Sequence, residues 1–312
     1  MTSKISQGLF RLDVKDTFNR VVDDLNAARM GVLYNTATYD AASLADAAGA
    51  TATVTVAGAE LGDFAFASLG VSVVGMTVTA YVSAPDVVSV RIQNESAETV
   101  DLASTTIRAF VVPRRSVRHV FPDAYFAAAT LDVTSLAEAA GATPTGATVT
   151  GAALGDFVIF SMGADLAGIT AAPYVQAADT VEIRFQNETG NTIDLSSTTS
   201  RFVVIPKAAM SKAFGGLVKQ GAATWDVASL SDGVGETTTV TVPGASLGDF
   251  ALASFSLDLQ DMVMTAWVSA ADTVSVRIQN ESAGTKNLDS GTVRVAVIPQ
   301  AFLARGVVAL QK

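Results

Sequence analysis

Along most of the chain, apolar and polar residues alternate singly, which is the period of a β-strand and not of a helix. The clearest run is Val88-Ser89-Val90-Arg91-Ile92-Gln93, in which Val88, Val90 and Ile92 point one way and Ser89, Arg91 and Gln93 the other. Segments 51–56, 64–68, 76–83 and 106–112 alternate in the same way, or run apolar, between turn signals such as Ala84-Pro85-Asp86. Segment 43–50 and its counterparts read as a loop or one helical turn. Five or six short strands without an intervening helical period predict an antiparallel sandwich or jelly-roll-like unit.

The pattern occurs three times. Leu-Gly-Asp-Phe stands at 61–64, 154–157 and 247–250, a period of 93 residues. Each copy leads to an arginine, Arg91, Arg184 or Arg277, within a strand-like run ending Gln-Asn-Glu-Ser/Thr. Each closes on a proline, Pro113, Pro206 or Pro299. A repeat of this length is far beyond the roughly 20–50 residues of stacked solenoids, so each copy is expected to bury its own core. The expected division is an arm at 1–37, β-modules at 38–113, 130–206 and 224–299, connectors at 114–129 and 207–223, and a tail at 300–312. Three like modules in one polypeptide predict an all-β chain that forms a pseudo-trimer with itself.

One strand carries a signal about how the modules meet. Met76, Val78, Ala80 and Val82 share a face, while Tyr81 lies on the other with Thr77 and Thr79; Tyr174 and Trp267 hold its place in the later copies. An aromatic on a polar face suits contact between modules, or covers a cross-strand neighbour. Exposed, the same rings would suit a glycan. Pro173, in the second copy of this strand, removes a ladder donor and predicts an edge strand or a bulge.

Helical spacing is found in the arm, where Phe18, Val22 and Leu25 lie on one face of a predicted amphipathic helix. Such a face either caps a module core or docks on another protein. The connectors share no evident sequence likeness. The first holds Arg114, Arg115, Arg118, His119 and Phe121; the second holds Lys207, Lys212 and Lys219.

Charge sharpens this division. The chain has 20 basic and 30 acidic residues, net −10. The modules take 25 of the acidic residues and seven of the basic ones, whereas the arm, connectors and tail carry 13 basic and five acidic. Acidic modules argue against nucleic acid as a partner, and the basic segments suit an acidic protein surface. With 16% charged residues, the chain is expected to hide much of its surface against itself or a partner.

Little catalytic chemistry is present. There is no cysteine and one histidine, His119, so thiolate chemistry and repeated His-based sites are excluded. No phosphate-binding glycine loop or HExxH motif occurs. No membrane-length apolar run and no secretory leader is evident, so manufacture in a cytosol and no membrane partner are expected. No cofactor or metal is expected. Asp86, Asp179 and Asp272 read first as turn residues and second as oxygen donors for a shared Ca²⁺. The Asn-Glu-Ser/Thr triplets match a glycosylation sequon but read as turns. Recurrence of Asp63, Asp156 and Asp249 with Arg91, Arg184 and Arg277 predicts a structural ion pair, or a turn cap by the aspartate, in each module.

The series from Thr-x-Asp (Asp40, Asp132, Asp226), through LGDF, the Tyr/Trp-Val strand and the Arg-x-Gln-Asn-Glu strand, to the closing proline resembles small β-modules of tailed-bacteriophage virion proteins, which commonly work as trimers. The resemblance spans the three repeats and not the arm, connectors or tail. It implies a virion component without giving its place on the virion. The self-contained pseudo-trimer with unlike basic segments leads to the expectation of a non-enzymatic capsid decoration or cement protein at a threefold or quasi-threefold site, with the major capsid protein or another virion protein as partner. Phe18, Val22, Leu25, Arg114, Arg115, Arg118, Phe121, Lys207, Lys212 and Lys219 would then dock it. The alternative is a fibre or appendage that binds host glycans through Tyr81, Tyr174 and Trp267.

Overall fold

A computed structural model of the protein describes residues 31–40, 42–144 and 146–303, and these are mostly β. The predicted helix with Phe18, Val22 and Leu25 lies outside the described residues. In the first repeat, β1 (Leu33–Tyr39), β6 (Thr105–Val112) and β3 (Phe64–Leu69) form one antiparallel sheet in the order β1-β6-β3. A second contains β2 (Gly49–Thr55), β5 (Val87–Gln93) and β4 (Thr77–Ala84) in the order β2-β5-β4. The third repeat has the same two sheets. They are β14 (Lys219–Trp225), β19 (Gly291–Ile298) and β16 (Phe250–Phe255), then β15 (Gly235–Thr241), β18 (Thr273–Gln279) and β17 (Val263–Ala270).

The second repeat keeps β7 (Tyr125–Leu131), β13 (Thr198–Ile205) and β10 (Phe157–Met162), and pairs β11 (Thr170–Ala177) with β12 (Thr180–Gln186). Where the other repeats have one long strand, it has β8 (Gly141–Ala142) and β9 (Ala147–Thr148) on either side of Pro144. Proline has no N–H to give the ladder, which accounts for the break. Pro173 sits on β11, an edge strand, where its missing donor costs nothing.

The alternation seen in sequence sorts the side chains. Val88, Val90 and Ile92 are fully buried in their own repeat, as are Val181, Ile183 and Phe185, and Val274, Val276 and Ile278. Burying each such side chain contributes about 1.5–3 kcal/mol before entropy is charged. Each repeat therefore has its own apolar cluster.

A fourth cluster belongs to all three repeats. Phe64, Phe157 and Phe250, the last residues of the LGDF motifs, meet there with Phe110, Ile205 and Ile298. The connectors close it. Helix α1 (Val117–Val120) places Val117 and Val120 in the cluster, and a 3-10 segment, Met210–Gly216, adds Met210 and Phe214. A helical turn at 300–303 adds Phe302 and Leu303. Each cap starts with a backbone bond to a repeat-closing proline carbonyl, from Ser116 to Pro113, Ala209 to Pro206 and Phe302 to Pro299. The connectors and tail are thus alike in the backbone of their first turn, although the connectors share no evident sequence likeness.

The first strands also begin earlier than expected, at Leu33, Tyr125 and Lys219 instead of 38, 130 and 224. Their Ala/Thr-rich sequences, such as Asn35-Thr36-Ala37-Thr38, offer little apolar–polar contrast for a period to show.

Candidate functional site

The polar face of β5 and its counterparts forms the junctions between repeats. Arg91 is 7% exposed and donates through Nη2 to Gln93 Oε1 at 2.6 Å and to the Glu188 carbonyl oxygen at 2.5 Å. Arg184 bonds Gln186 Oε1 at 2.9 Å and the Glu281 carbonyl. Arg277 bonds Gln279 Oε1 at 2.6 Å and the Glu95 carbonyl at 2.5 Å. The links run from repeat one to two, two to three, and three back to one, closing a ring. Gly49, Gly141 and Gly235 lie over the guanidinium groups, and a Cβ at any of them would overlap both the Arg and the Gln side chain. Sequence reasoning passed over these glycines, although each stands close before a predicted strand in all three copies.

Two more contacts close the ring. Ser68, Ser161 and Ser254 donate to the carbonyls of Gly248, Gly62 and Gly155 at 2.7, 2.8 and 2.8 Å. The aromatic residues enter the next repeat. Tyr81 belongs to the apolar cluster of repeat two and accepts from Gly168 N at 2.8 Å. Tyr174 belongs to that of repeat three and accepts from Asp261 N at 3.3 Å. Trp267 packs on the cluster of repeat one and donates to Ser72 Oγ at 3.1 Å. Tyr81 is 8% and Tyr174 5% exposed, and Trp267 is partly buried, so the three rings make the contact between modules that was one of the readings open for them. Side chains of the inner strands, among them Ala67, Ala80, Phe160, Leu252 and Met264, line a central cavity of about 210 Å³.

Of the two readings open for Asp63, Asp156 and Asp249, an ion pair with Arg91, Arg184 and Arg277 or a turn cap, the structure has the turn cap. Asp63 spends one oxygen on Glu60 N at 3.1 Å and the other on Arg114 N at 2.8 Å. Asp156 takes Ala153 N and Lys207 N at 3.0 and 2.9 Å, and Asp249 takes Ser246 N and Gln300 N at 3.1 and 3.0 Å. Each aspartate caps its own turn and clamps the residue after the closing proline, satisfying backbone donors that burial would otherwise leave unpaired. The turn aspartates act similarly. Asp86, Asp179 and Asp272 all have positive φ and bond Gly58 N, Gly151 N and Gly244 N. No cluster of three or more metal-ligating side chains occurs among the described residues.

Asn94, Asn187 and Asn280 are fully buried. The Nδ2 of Asn94 donates to the carbonyls of Leu44 and Glu98, while its Oδ1 accepts from Ser96 N and Oγ. The other two make equivalent bonds. The Asn-Glu-Ser/Thr triplet is therefore a turn lock, and it holds Glu95, Glu188 and Glu281 beside the junctions. All three carboxyls titrate above their usual range. Glu95 is pushed up to about 8, by burial first and then by the charges of Glu281 and Glu188. Burial also raises Glu188 and Glu281, against the Gln186 and Gln279 amides that bond them at 2.7 and 2.8 Å.

The basic residues expected to dock a partner lie around the connectors. Arg114, Arg115, Arg118, His119 and Lys212 are exposed. Arg114 pairs with Glu60 at 2.6 Å, Lys212 with Asp123 at 2.6 Å, and Lys207 with Asp156 at 3.3 Å. Lys219 lies on β14, bonded to the Gly244 carbonyl and 3.8 Å from Asp249. The Arg118 guanidinium stacks 4.1 Å over the Phe126 ring. Phe121 is 1% exposed and packs edge-on against Phe214, so it is an internal residue and not a docking one. Family models, curated proteins and solved structures offer no match to this chain.

Proposed function

We propose that the chain is a non-enzymatic structural protein of a virion, a capsid decoration or cement protein. Its three repeats act as sandwich modules of an intrachain pseudo-trimer, at a threefold or quasi-threefold site. The observation that carries this reading is the closed ring of equivalent contacts, Arg91 to Glu188, Arg184 to Glu281 and Arg277 to Glu95, made within one polypeptide. Such a ring matches a threefold platform in shape, and its work is mechanical. The exposed cations of the connectors lie together beside the shared phenylalanine cluster, whereas the repeats are acidic. An acidic partner surface, as on the major capsid protein, would meet that basic side. The appendage alternative is less favoured, since Tyr81 and Tyr174 are buried in the apolar clusters of neighbouring repeats and Trp267 packs, partly buried, against a third.

Adding purified protein to capsids that lack decoration tests the reading. Saturable binding that weakens as salt is raised is expected, because exposed charges are screened within about 10 Å at 0.1 M. No saturable binding to any virion shell would overturn it.

A further inference from the structure

We propose that the Glu95, Glu188 and Glu281 carboxyls form a pH-sensitive latch that holds the polar ends of the three repeats together when protonated and loosens them when ionised. The proposal does not depend on where the protein docks.

The geometry supplies the coupling. The backbone carbonyl of each of these glutamates is the acceptor for an arginine of the preceding repeat: Glu188 for Arg91, Glu281 for Arg184, Glu95 for Arg277. A force on the carboxyl is therefore applied one residue's width from the bond that joins two repeats. The glutamates cannot turn away freely, because Asn94, Asn187 and Asn280 lock the backbone just before them.

The charges that face this cluster do not balance. Arg91, Arg184 and Arg277 are the cations nearby. Against them stand the three glutamates and a second tier of Asp46, Glu138 and Asp232 from the loop that precedes the second strand of each repeat. Asp46 and Asp232 accept from the backbone N–H groups of Ala97 and Ala283, and Glu138 from that of Gly190, which keeps them beside the glutamate turns. Asp261 faces Arg184 as well, and seven carboxylates around three guanidinium groups leave an excess of negative charge. The arginines spend their donors on glutamine and carbonyl oxygens, not on the carboxylates. Protonating the inner three relieves the excess.

The repeats are not equivalent. Gln186 and Gln279 donate to Glu188 and Glu281. Gln93 lies near enough to Glu95 to ease its ionisation, yet its buried Nε2 has no acceptor in hydrogen-bonding geometry. Glu95 is thus the carboxyl least supported as an anion, which agrees with its titration near 8.

The sign follows from linkage. A carboxyl whose folded pKa lies above its unfolded one binds more protons when folded. Its stabilising contribution is complete below about 4.5 and is lost as pH rises through about 8. For this partly exposed turn, discounted for solvent screening, the unfolding constant should rise on the order of tenfold to a hundredfold between those limits.

The test compares the full chain with the triple variant Glu95→Gln/Glu188→Gln/Glu281→Gln, in which an amide stands in for the protonated acid. Urea unfolding from pH 5 to 9 is read by Trp267 emission, in a Trp225→Phe background so that the tryptophan at the junction of repeats three and one reports alone. The full chain should lose stability steadily towards pH 9, and the triple variant should lose most of that slope. Should the triple variant fail to fold, Glu95→Gln alone should remove the largest single part of the slope. Parallel pH profiles for the full chain and whichever variant folds, or a chain that gains stability as pH rises, would overturn the proposal. His119 is present in all these proteins and cancels.

Discussion

Two of the places where the three repeats meet are built from opposite materials. At one, Phe64, Phe157 and Phe250 converge in an apolar cluster roofed by the connectors and the start of the tail. At the other, arginine, glutamine and glutamate side chains meet backbone carbonyls across the junctions. The apolar contact is non-directional and would tolerate a repeat turned slightly about the centre. The polar contact tolerates no such shift, since a guanidinium that misses its carbonyl leaves two buried groups unpaired. Stability should therefore reside mainly in the first region, and the register between repeats in the second.

The comparison breaks most sharply at Phe214. Its ring is fully buried and stands edge-on to Phe110 at 5.8 Å and Phe121 at 5.3 Å, so it ties the second connector to the first repeat and the first connector. Phe214→Ala should cost about 3–5 kcal/mol in urea unfolding, as large-to-small changes in well-packed cores do. A cost under about 1 kcal/mol would place the stabilising centre elsewhere.

Arg277→Ala tests the polar region and should cost less, about 1–3 kcal/mol, the penalty for leaving Gln279 Oε1 and the Glu95 carbonyl without their donor. The more telling readout is cooperativity. A variant loosened at one junction should expose the 273–279 and 93–98 backbone to hydrogen exchange before global unfolding, whereas Phe214→Ala should not separate the two. Tyr81→Phe is milder still. It keeps the ring in the apolar cluster of repeat two and removes only the acceptor for Gly168 N, for an expected loss of about 1 kcal/mol.

What sequence could show follows the same division. The alternation on β5 predicted both its faces because a strand side chain points in or out by parity alone. Tyr81, Tyr174 and Trp267 stood out as aromatics on a polar face, and intermodule contact was one of the readings open for them. The junction partners did not show. Arg91 bonds a carbonyl 97 residues away and Arg277 one 182 residues away, and a carbonyl acceptor leaves no trace in residue identity. Opposite charge suggested Asp63 with Arg91 as readily as a turn cap, and residue identity did not show that the aspartate was needed for backbone N–H groups. The likeness of the caps was hidden for a related reason. Val117, Met210 and Leu303 each stand four residues after a closing proline and enter the same cluster, yet they share only apolar character.

The smallest effect on stability is expected where the effect on function should be greatest. Among the described residues Arg115 has no ion pair, and Arg118 holds its place by stacking on Phe126. Arg115→Glu/Arg118→Glu should change unfolding by no more than about 1 kcal/mol, since exposed charges contribute little to folding. Against an acidic shell, however, each substitution replaces an attraction by a repulsion, which acts on the encounter rate as well as on the bound state. Saturable capsid binding should fall at least about tenfold and recover little when salt is raised, because screening removes the repulsion without restoring the lost attraction. Unchanged binding by this folded variant would move the docking surface away from the first connector, while leaving the Arg91, Arg184 and Arg277 contacts between repeats as they stand.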